Sequence, residues 1–168
     1  MKELRNSKGF TLVELLAVIV VLAIVMSLAV VAITNVLENA RKATFVSEAK
    51  SFLEGARNVV NNDDLVSVID SDKATHMVSC TNPNKLTTDI SITEIPLQQG
   101  GKKSPYGNNY VTGANGSYIH VVAGMSGNVC KYTYSIFLSD GVYSIGTKDN
   151  PAEWSTIETS SVQPVSGS

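Results

Sequence analysis

The 168-residue sequence has few of the side chains on which enzymes most often depend. It contains two histidines, His76 and His120, and two cysteines, Cys80 and Cys130. The cysteines form no C-x-x-C pair, and neither histidine stands at the spacing of a zinc site or a catalytic triad. Gly-rich phosphate loops and nucleophile motifs are missing as well. We therefore expect neither an enzyme nor a bound cofactor or metal.

The first 60 residues lack proline, and their only glycines are Gly9 and Gly55. Residues 15–26 also lack any polar side chain, and the apolar character continues to residue 33 with Ser27 as the one interruption. Nothing in residues 10–33 breaks a helix. As a helix this segment is about 36 Å long, which is enough to cross a hydrocarbon core of about 30 Å.

A large excess of one charge is missing too, since the net charge is -2. In the leader, residues 1–9, Lys2, Arg5 and Lys8 outweigh Glu3 and give a net charge of +2. The remaining 10 basic and 14 acidic side chains give -4, which predicts no general affinity for nucleic acid. Positive charge before an apolar span keeps the short N-terminus in the cytoplasm and directs the rest outward.

Three interpretations of the apolar segment compete. The first interpretation is a plain signal-anchor. The second is a signal peptide that is cleaved at the small-x-small sequence from Ser27 to Ala29. The third is a membrane segment in which Glu14 has a functional partner. The apolar run is longer than the roughly 7–15 residues of an ordinary signal peptide. Neither of the first two interpretations explains Glu14, because a carboxylate near the start of a span costs about 3 kcal/mol or more and generally has a partner.

Residues 9–14, Gly-Phe-Thr-Leu-Val-Glu, resemble the cleavage and methylation site of type IV prepilins. The basic leader and the apolar helix on either side strengthen the resemblance. It implies that a membrane peptidase cuts after Gly9 and N-methylates the new first residue, Phe10. It also implies that Glu14 pairs with the Phe10 ammonium of a neighbouring subunit during filament assembly. Residues 15–20 and 38–42 resemble members of the family from Gram-positive-type cells.

From residue 34 the pattern becomes that of an amphipathic helix. Eight apolar residues recur at steps of three and four: Val36, Ala40, Ala43, Val46, Ala49, Leu53, Ala56 and Val60. Asn and Asp at residues 61–64 predict the end of the helix, because they favour turns and caps. Asp64 then caps a short helix or strand at residues 65–69. Many members of the resembled family carry a proline late in the apolar segment. Its absence here allows a straight, unmelted helix, while the β-branched residues of the segment leave local loosening open.

The region after the helix is predicted to be loop-rich up to residue 117. Within it, residues 103–110 are similar to a Pro-aromatic-Gly-Asn-x-Tyr loop of type II secretion major pseudopilins, and we expect a structural role for them. Strands are predicted where β-branched and aromatic residues alternate between turn residues, at 118–123, 129–138 and 142–147. In the second strand, the tyrosine-bearing face is expected to pack.

These elements predict an α+β fold of the type IV pilin kind, in which a long N-terminal helix packs on a small antiparallel sheet. The predicted parts are a leader at 1–9, a transmembrane or filament-core half of the helix at 10–33, an amphipathic half at 34–62, a loop-rich region at 63–117, a β-meander at 118–150 and a Ser/Thr-rich tail at 151–168. Trp154 is expected to hold the tail to the sheet, and residues 159–168 are expected to be disordered.

Cys80 and Cys130 are expected to form a disulfide if the region lies outside the cytoplasm. The bond would close a loop of about 50 residues, which contributes roughly 4 kcal/mol in the chain-entropy model. Two buried free thiols are the alternative. A calcium site that uses Asp140 and Asp149 has weak support, because two carboxylates without a recognised loop are common on surfaces.

The resemblance implies a structural subunit of an extracellular type IV pilus-like filament. Its implied partners are further copies of itself or homologous pilins, the prepilin peptidase, the inner-membrane assembly platform with its ATPase, and membrane lipid before assembly. The subunit would wait in the cytoplasmic membrane and reach the cell surface on assembly. Two alternatives stay open, namely a pseudopilin of a type II secretion-like or competence apparatus and a membrane-anchored binding domain that never polymerises.

Overall fold

Helix α1 runs from Leu12 to Ile69 without a break. The structure is a computed structural model of the chain, and it describes residues 11–69, 75–97 and 103–165. The chain divides between Asn39 and Ala40 into two compact units. The unbroken length of α1 follows from an interior without proline and with a single glycine, Gly55.

One face of α1 is buried against the sheet in the second unit. Its buried apolar residues are Phe45, Val46, Ala49, Phe52, Leu53, Ala56 and Val60. The face predicted from the sequence is therefore right from Val46 to Val60. It is wrong at Val36, Ala40 and Ala43, which are exposed. Periodicity identifies the apolar side of a helix but does not tell where a covering layer begins, and here burial begins at Phe45.

At Gly55 another segment packs directly on the backbone of α1. A Cβ atom at this position would lie 2.3 Å from Cγ2 of Ile95, whose side chain is buried. Ile95 therefore packs on the helix backbone itself, at a distance that only glycine permits.

The predicted end of the helix at residues 61–64 is wrong, and so is a separate element at residues 65–69, because α1 continues to Ile69. Asn and Asp each cost less than about 1 kcal/mol in a helix interior, which tertiary contacts readily offset. Asp63 does not cap the helix. Its buried carboxylate instead accepts a hydrogen bond from the backbone N–H of His76, at 2.6 Å.

Within the described residues, six strands form one sheet in which every pairing is antiparallel. They are β1 (Thr87–Ser91), β2 (Tyr118–Ser126), β3 (Val129–Ser139), β4 (Tyr143–Ile145), β5 (Ala152–Glu153) and β6 (Val162–Pro164). Their order is β1-β2-β3-β4-β6, and β5 pairs with β3. A long helix packed on an antiparallel sheet confirms the predicted α+β fold.

A row of isoleucines crosses strands β1, β2 and β3 and belongs to the hydrophobic core. Ile90 of β1 lies opposite Ile119 of β2, which lies opposite Ile136 of β3, and all three are fully buried. Strands β2, β3 and β4 stand where the sequence predicts strands. The sequence did not predict β1, β5 and β6, because these strands are too short to show a clear alternation and, unlike β4, they do not follow an Asp-Gly turn.

The tyrosine-bearing face of β3 packs against the core, as predicted. Tyr132 and Tyr134 are half-buried there. Gly127 and Asn128 join β2 to β3 as a two-residue turn, since Ser126 pairs with Val129. Gly127 has a φ of +65°, which suits glycine at the first position of a tight hairpin turn.

The tail is ordered as far as residue 165, contrary to the prediction of disorder from residue 159. Val162 of β6 pairs with Ile145 of β4, and both side chains are buried. Burial of one such side chain contributes about 1.5–3 kcal/mol, which offsets part of the cost of ordering a short strand. Residues 166–168 lie outside the described part of the chain.

Candidate functional site

The first turn of α1 is closed by a capping box between Thr11 and Glu14. Thr11 precedes the first helical residue, and its Oγ1 accepts a hydrogen bond from the backbone N–H of Glu14 at 3.3 Å. In return, Oε2 of Glu14 accepts hydrogen bonds from the backbone N–H and the hydroxyl of Thr11, each at 2.9 Å. The Thr-x-x-Glu spacing therefore satisfies donors at the helix start that have no partner within the helix.

This arrangement holds the Glu14 carboxylate at the N-terminal end of α1. The backbone nitrogen of Thr11, which donates a hydrogen bond to this carboxylate, is the nitrogen of the peptide bond to Phe10. Gly9 and Phe10, where the sequence predicts cleavage and methylation, lie outside the described residues. The pairing of Glu14 with the Phe10 ammonium therefore stays a prediction.

The helix surface after Glu14 is apolar and uncovered. Its most apolar 18-residue window has a mean hydropathy of 3.2, and none of that window is buried within the protein. Among the large apolar residues of the segment whose side chains the structure describes, Leu22 is the most shielded, and it is still 48% exposed. By length and composition this helix is able to cross a membrane, and exposure of this extent calls for lipid or another protein surface around it.

The chain matches the family model described as the prokaryotic N-terminal methylation motif, over residues 4–30. That stretch includes the basic leader, the predicted cleavage site, Glu14 and most of the apolar segment. The chain carries the N-terminus of a type IV pilin-like prepilin. No curated protein and no solved structure matches the chain.

The prepilin motif identifies a substrate of prepilin peptidase. The apolar helix and the motif together fit membrane anchoring before assembly. The other residues considered in the sequence analysis belong to the second unit of the chain, and they lie in separate places.

The first place is the disulfide between Cys80 and Cys130, whose Cα atoms are 5.8 Å apart. It attaches the segment before β1 to the start of β3, across 50 residues of sequence. Cys130 is half-buried, and both cysteines pack against the hydrophobic core. The bond therefore holds a segment that has little regular secondary structure of its own.

The second place is the loop at residues 103–110, which folds over the β3–β4 turn around Asp140. One carboxylate oxygen of Asp140 accepts hydrogen bonds from the Ser104 hydroxyl at 2.5 Å and from the Asn108 amide at 3.5 Å. The other accepts the backbone N–H groups of Val142 and Tyr143, at 2.9 and 2.7 Å. Burial by itself raises the pKa of Asp140, but these hydrogen bonds outweigh it and leave that pKa below its ordinary value.

Asp140 is thus occupied by protein donors, and it is 5% exposed. Asp149, its suggested partner in a calcium site, lies on the exposed surface. Within the described ranges, no three His, Cys, Asp or Glu side chains converge as metal ligands. The geometry around Asp140 is that of a structural clamp between a loop and a hairpin.

The two histidines lie apart from each other, each beside its own acidic partners. His76 lies between two carboxylates, with Nδ1 3.6 Å from Asp63 and Nε2 3.7 Å from Glu94. His120 of β2 lies on the outer side of the sheet, where its Nδ1 is 2.6 Å from Oδ1 of Asp89 on β1. The carboxylates of Asp63 and Glu94 approach opposite nitrogens of the His76 ring. His76 therefore links α1 to the segment that contains Glu94, and the three groups do not enclose an ion.

Sequence reasoning missed the contact between Tyr110 and Glu48. The Tyr110 hydroxyl donates a hydrogen bond to Glu48 of α1, and the Tyr110 ring meets Phe45 and Phe52 edge-on. Burial raises the pKa of Glu48, and burial together with the Glu48 carboxylate raises the pKa of Tyr110 well above its ordinary value. Tyr110 of the predicted loop indicated that a contact of this kind exists. Its partner on the helix could not be identified from the sequence, because Glu48 lies 62 residues away.

Proposed function

We propose that the chain is a structural subunit of a type IV pilus-like filament, which polymerises through its N-terminal helix. One observation carries the proposal, namely an apolar helical surface that is wholly uncovered and that begins with an acidic residue, Glu14. Before assembly, lipid covers this surface. In the filament, the helices of other copies replace the lipid.

Cleavage after Gly9 supplies the charge that this mechanism needs. It creates an ammonium group at Phe10, four residues before Glu14, and the peptidase then methylates that amine. A carboxylate in an apolar surrounding costs about 3 kcal/mol or more without a partner. The ammonium of an adjacent subunit offsets this cost only in the correct register, so the pair guides docking as well as neutralising charge.

The partners follow from the same steps. The prepilin peptidase removes the leader, the inner-membrane platform and its ATPase extract the subunit from the bilayer, and further copies receive it. The second unit of the chain, with its sheet and disulfide, then lies on the filament surface outside the cell.

A pseudopilin of a secretion or competence apparatus is a second candidate, and one observation favours it. The loop at residues 103–110, which is similar to that of major pseudopilins, is clamped to the β3–β4 turn through Ser104 and Asp140. Filament length and abundance separate the two candidates, because a pilus extends beyond the cell surface and a pseudopilus is short.

The substitution Glu14→Gln tests the proposal sharply. Glutamine preserves the capping box with Thr11 but removes the negative charge. We expect the variant to be processed and held in the membrane, with filaments in the sheared surface fraction reduced at least about tenfold. Ser27→Ala is the matched control, because it removes a different polar group from the same apolar segment, and it should assemble normally.

Assembly of Glu14→Gln at the wild-type level would contradict the proposed charge pairing. Wild-type subunit that is processed but never found in filaments of any length would instead favour the membrane-anchored binding domain.

A further inference from the structure

A cavity of about 440 Å³ opens between α1 and β3, in the second unit of the chain. It exists because β5 is only two residues long. Ser135 and Ile136 pair with Glu153 and Ala152, but the chain then turns away from β3 into a short 3₁₀ helix at Trp154–Thr156. The space beside the preceding residues of β3 is left open, and its size falls within the range of about 300–1,000 Å³ that is typical of small-molecule sites.

The lining combines aromatic rings with polar groups of both charges. Tyr132 and Tyr134 of β3 and Trp154 of the 3₁₀ helix are half-buried and supply ring surfaces. Two exposed side chains of α1, Arg57 and Asn61, stand at the rim. Glu153 faces them from β5. The cavity therefore combines aromatic ring surfaces with groups that donate and accept hydrogen bonds.

The charges at the rim limit the class of ligand. One cation, Arg57, and one anion, Glu153, sum to zero, so the site favours neither a strongly anionic nor a strongly cationic molecule. Aromatic rings bind the flat apolar faces of a ligand, whereas guanidinium, amide and carboxylate groups bind hydroxyls in its plane. A neutral sugar ring has apolar C–H faces and a hydroxyl edge. We propose that this cavity binds a neutral saccharide unit.

Two other ligands suit aromatic rings but fit this surrounding less well. Nucleobases stack on aromatic side chains, yet they arrive with phosphates, and the chain after Gly9 has a net charge of -4. Quaternary ammonium groups bind in aromatic cages, yet the charge of Arg57 offsets that of Glu153 and leaves the rim without the net negative charge that favours a cation.

The sole tryptophan of the chain, Trp154, lies in this cavity and reports directly on its occupation. The experiment is a fluorescence titration of the full chain in a detergent without a sugar head group. The probes are glucose, galactose and N-acetylglucosamine, with a trisaccharide of each, and a thymidine oligonucleotide and choline for comparison. We expect a saturable change in emission with at least one neutral saccharide, at a dissociation constant of about 10 mM or lower.

Two rim variants and one matched control complete the test. Arg57→Gln and Glu153→Gln each remove a charged hydrogen-bonding group and should weaken saccharide binding about tenfold. Arg41→Gln, an exposed arginine of the same helix outside the cavity, should leave it unchanged. The proposal is overturned if no neutral saccharide changes the emission saturably, if only the oligonucleotide or choline does, or if all three variants weaken binding equally.

Discussion

At the residue scale, the polar groups that matter most are acids held by donors nearby. Glu14 is held by Thr11 at the start of α1, and Asp140 is held by four donors at the β3–β4 turn. In both cases the carboxylate stabilises the local structure by accepting hydrogen bonds. In the filament that we propose, only Glu14 lies on a surface that needs a partner of opposite charge, and this difference separates a proposed assembly residue from a clamp.

Asp140 should account for a measurable part of the stability of the second unit. Asp140→Ala leaves the Ser104 hydroxyl and two backbone N–H groups without their acceptor, so we expect a loss of about 2–4 kcal/mol in the free energy of unfolding. Urea unfolding followed by Trp154 fluorescence measures this. Asp149→Ala, an exposed control in a nearby loop, should change stability by less than about 0.5 kcal/mol.

The same residue predicts a pH dependence with a defined sign. Because the folded pKa of Asp140 is lowered, its contribution is complete above the ordinary carboxyl pKa of about 4 and is lost as the pH falls through the folded value. Asp140→Asn cannot titrate. The stability difference between wild type and Asp140→Asn should therefore shrink between pH 7 and the acid range. A difference that stays constant down to about pH 2 would contradict the assigned cause.

At the scale of elements, the sequence predicted what repeats over many residues and missed what depends on distant partners. The 3.6-residue period identified α1, and alternation identified β2, β3 and β4. Strand β6 could not be predicted from the sequence, because Val162 is buried only through the pairing of β6 with β4. The helix end was misplaced for a similar reason, since the backbone of His76, 13 residues farther on, engages Asp63.

The disulfide should stabilise the segment before β1 more than any local contact does. Replacing Cys80 and Cys130 together by serine is expected to lower the free energy of unfolding by about 2–5 kcal/mol. Comparing urea midpoints of the two proteins at equal slope tests this prediction. In exported wild-type protein, neither thiol should react with an alkylating reagent before reduction. Free thiols in that sample would contradict an extracellular disulfide.

At the scale of the whole molecule, one sequence contains two units with different surroundings. The first offers an uncovered apolar helix, and the second has its own core beneath a six-stranded sheet. The N-terminal motif could be recognised from the sequence, because its chemistry lies within a few consecutive residues. The cavity at Trp154 could not, because its lining comes from α1, β3 and β5, which are distant in sequence.

The mature N-terminus tests the central claim most directly. Mass spectrometry of the protein recovered from the cell surface should give a chain that begins at Phe10 and carries one methyl group on its amine. Such a chain has lost residues 1–9 and has gained the ammonium that we assign to Glu14 of a neighbour. A chain that still begins at Met1, or one that begins at Val30 after signal-peptide cleavage, would contradict the account.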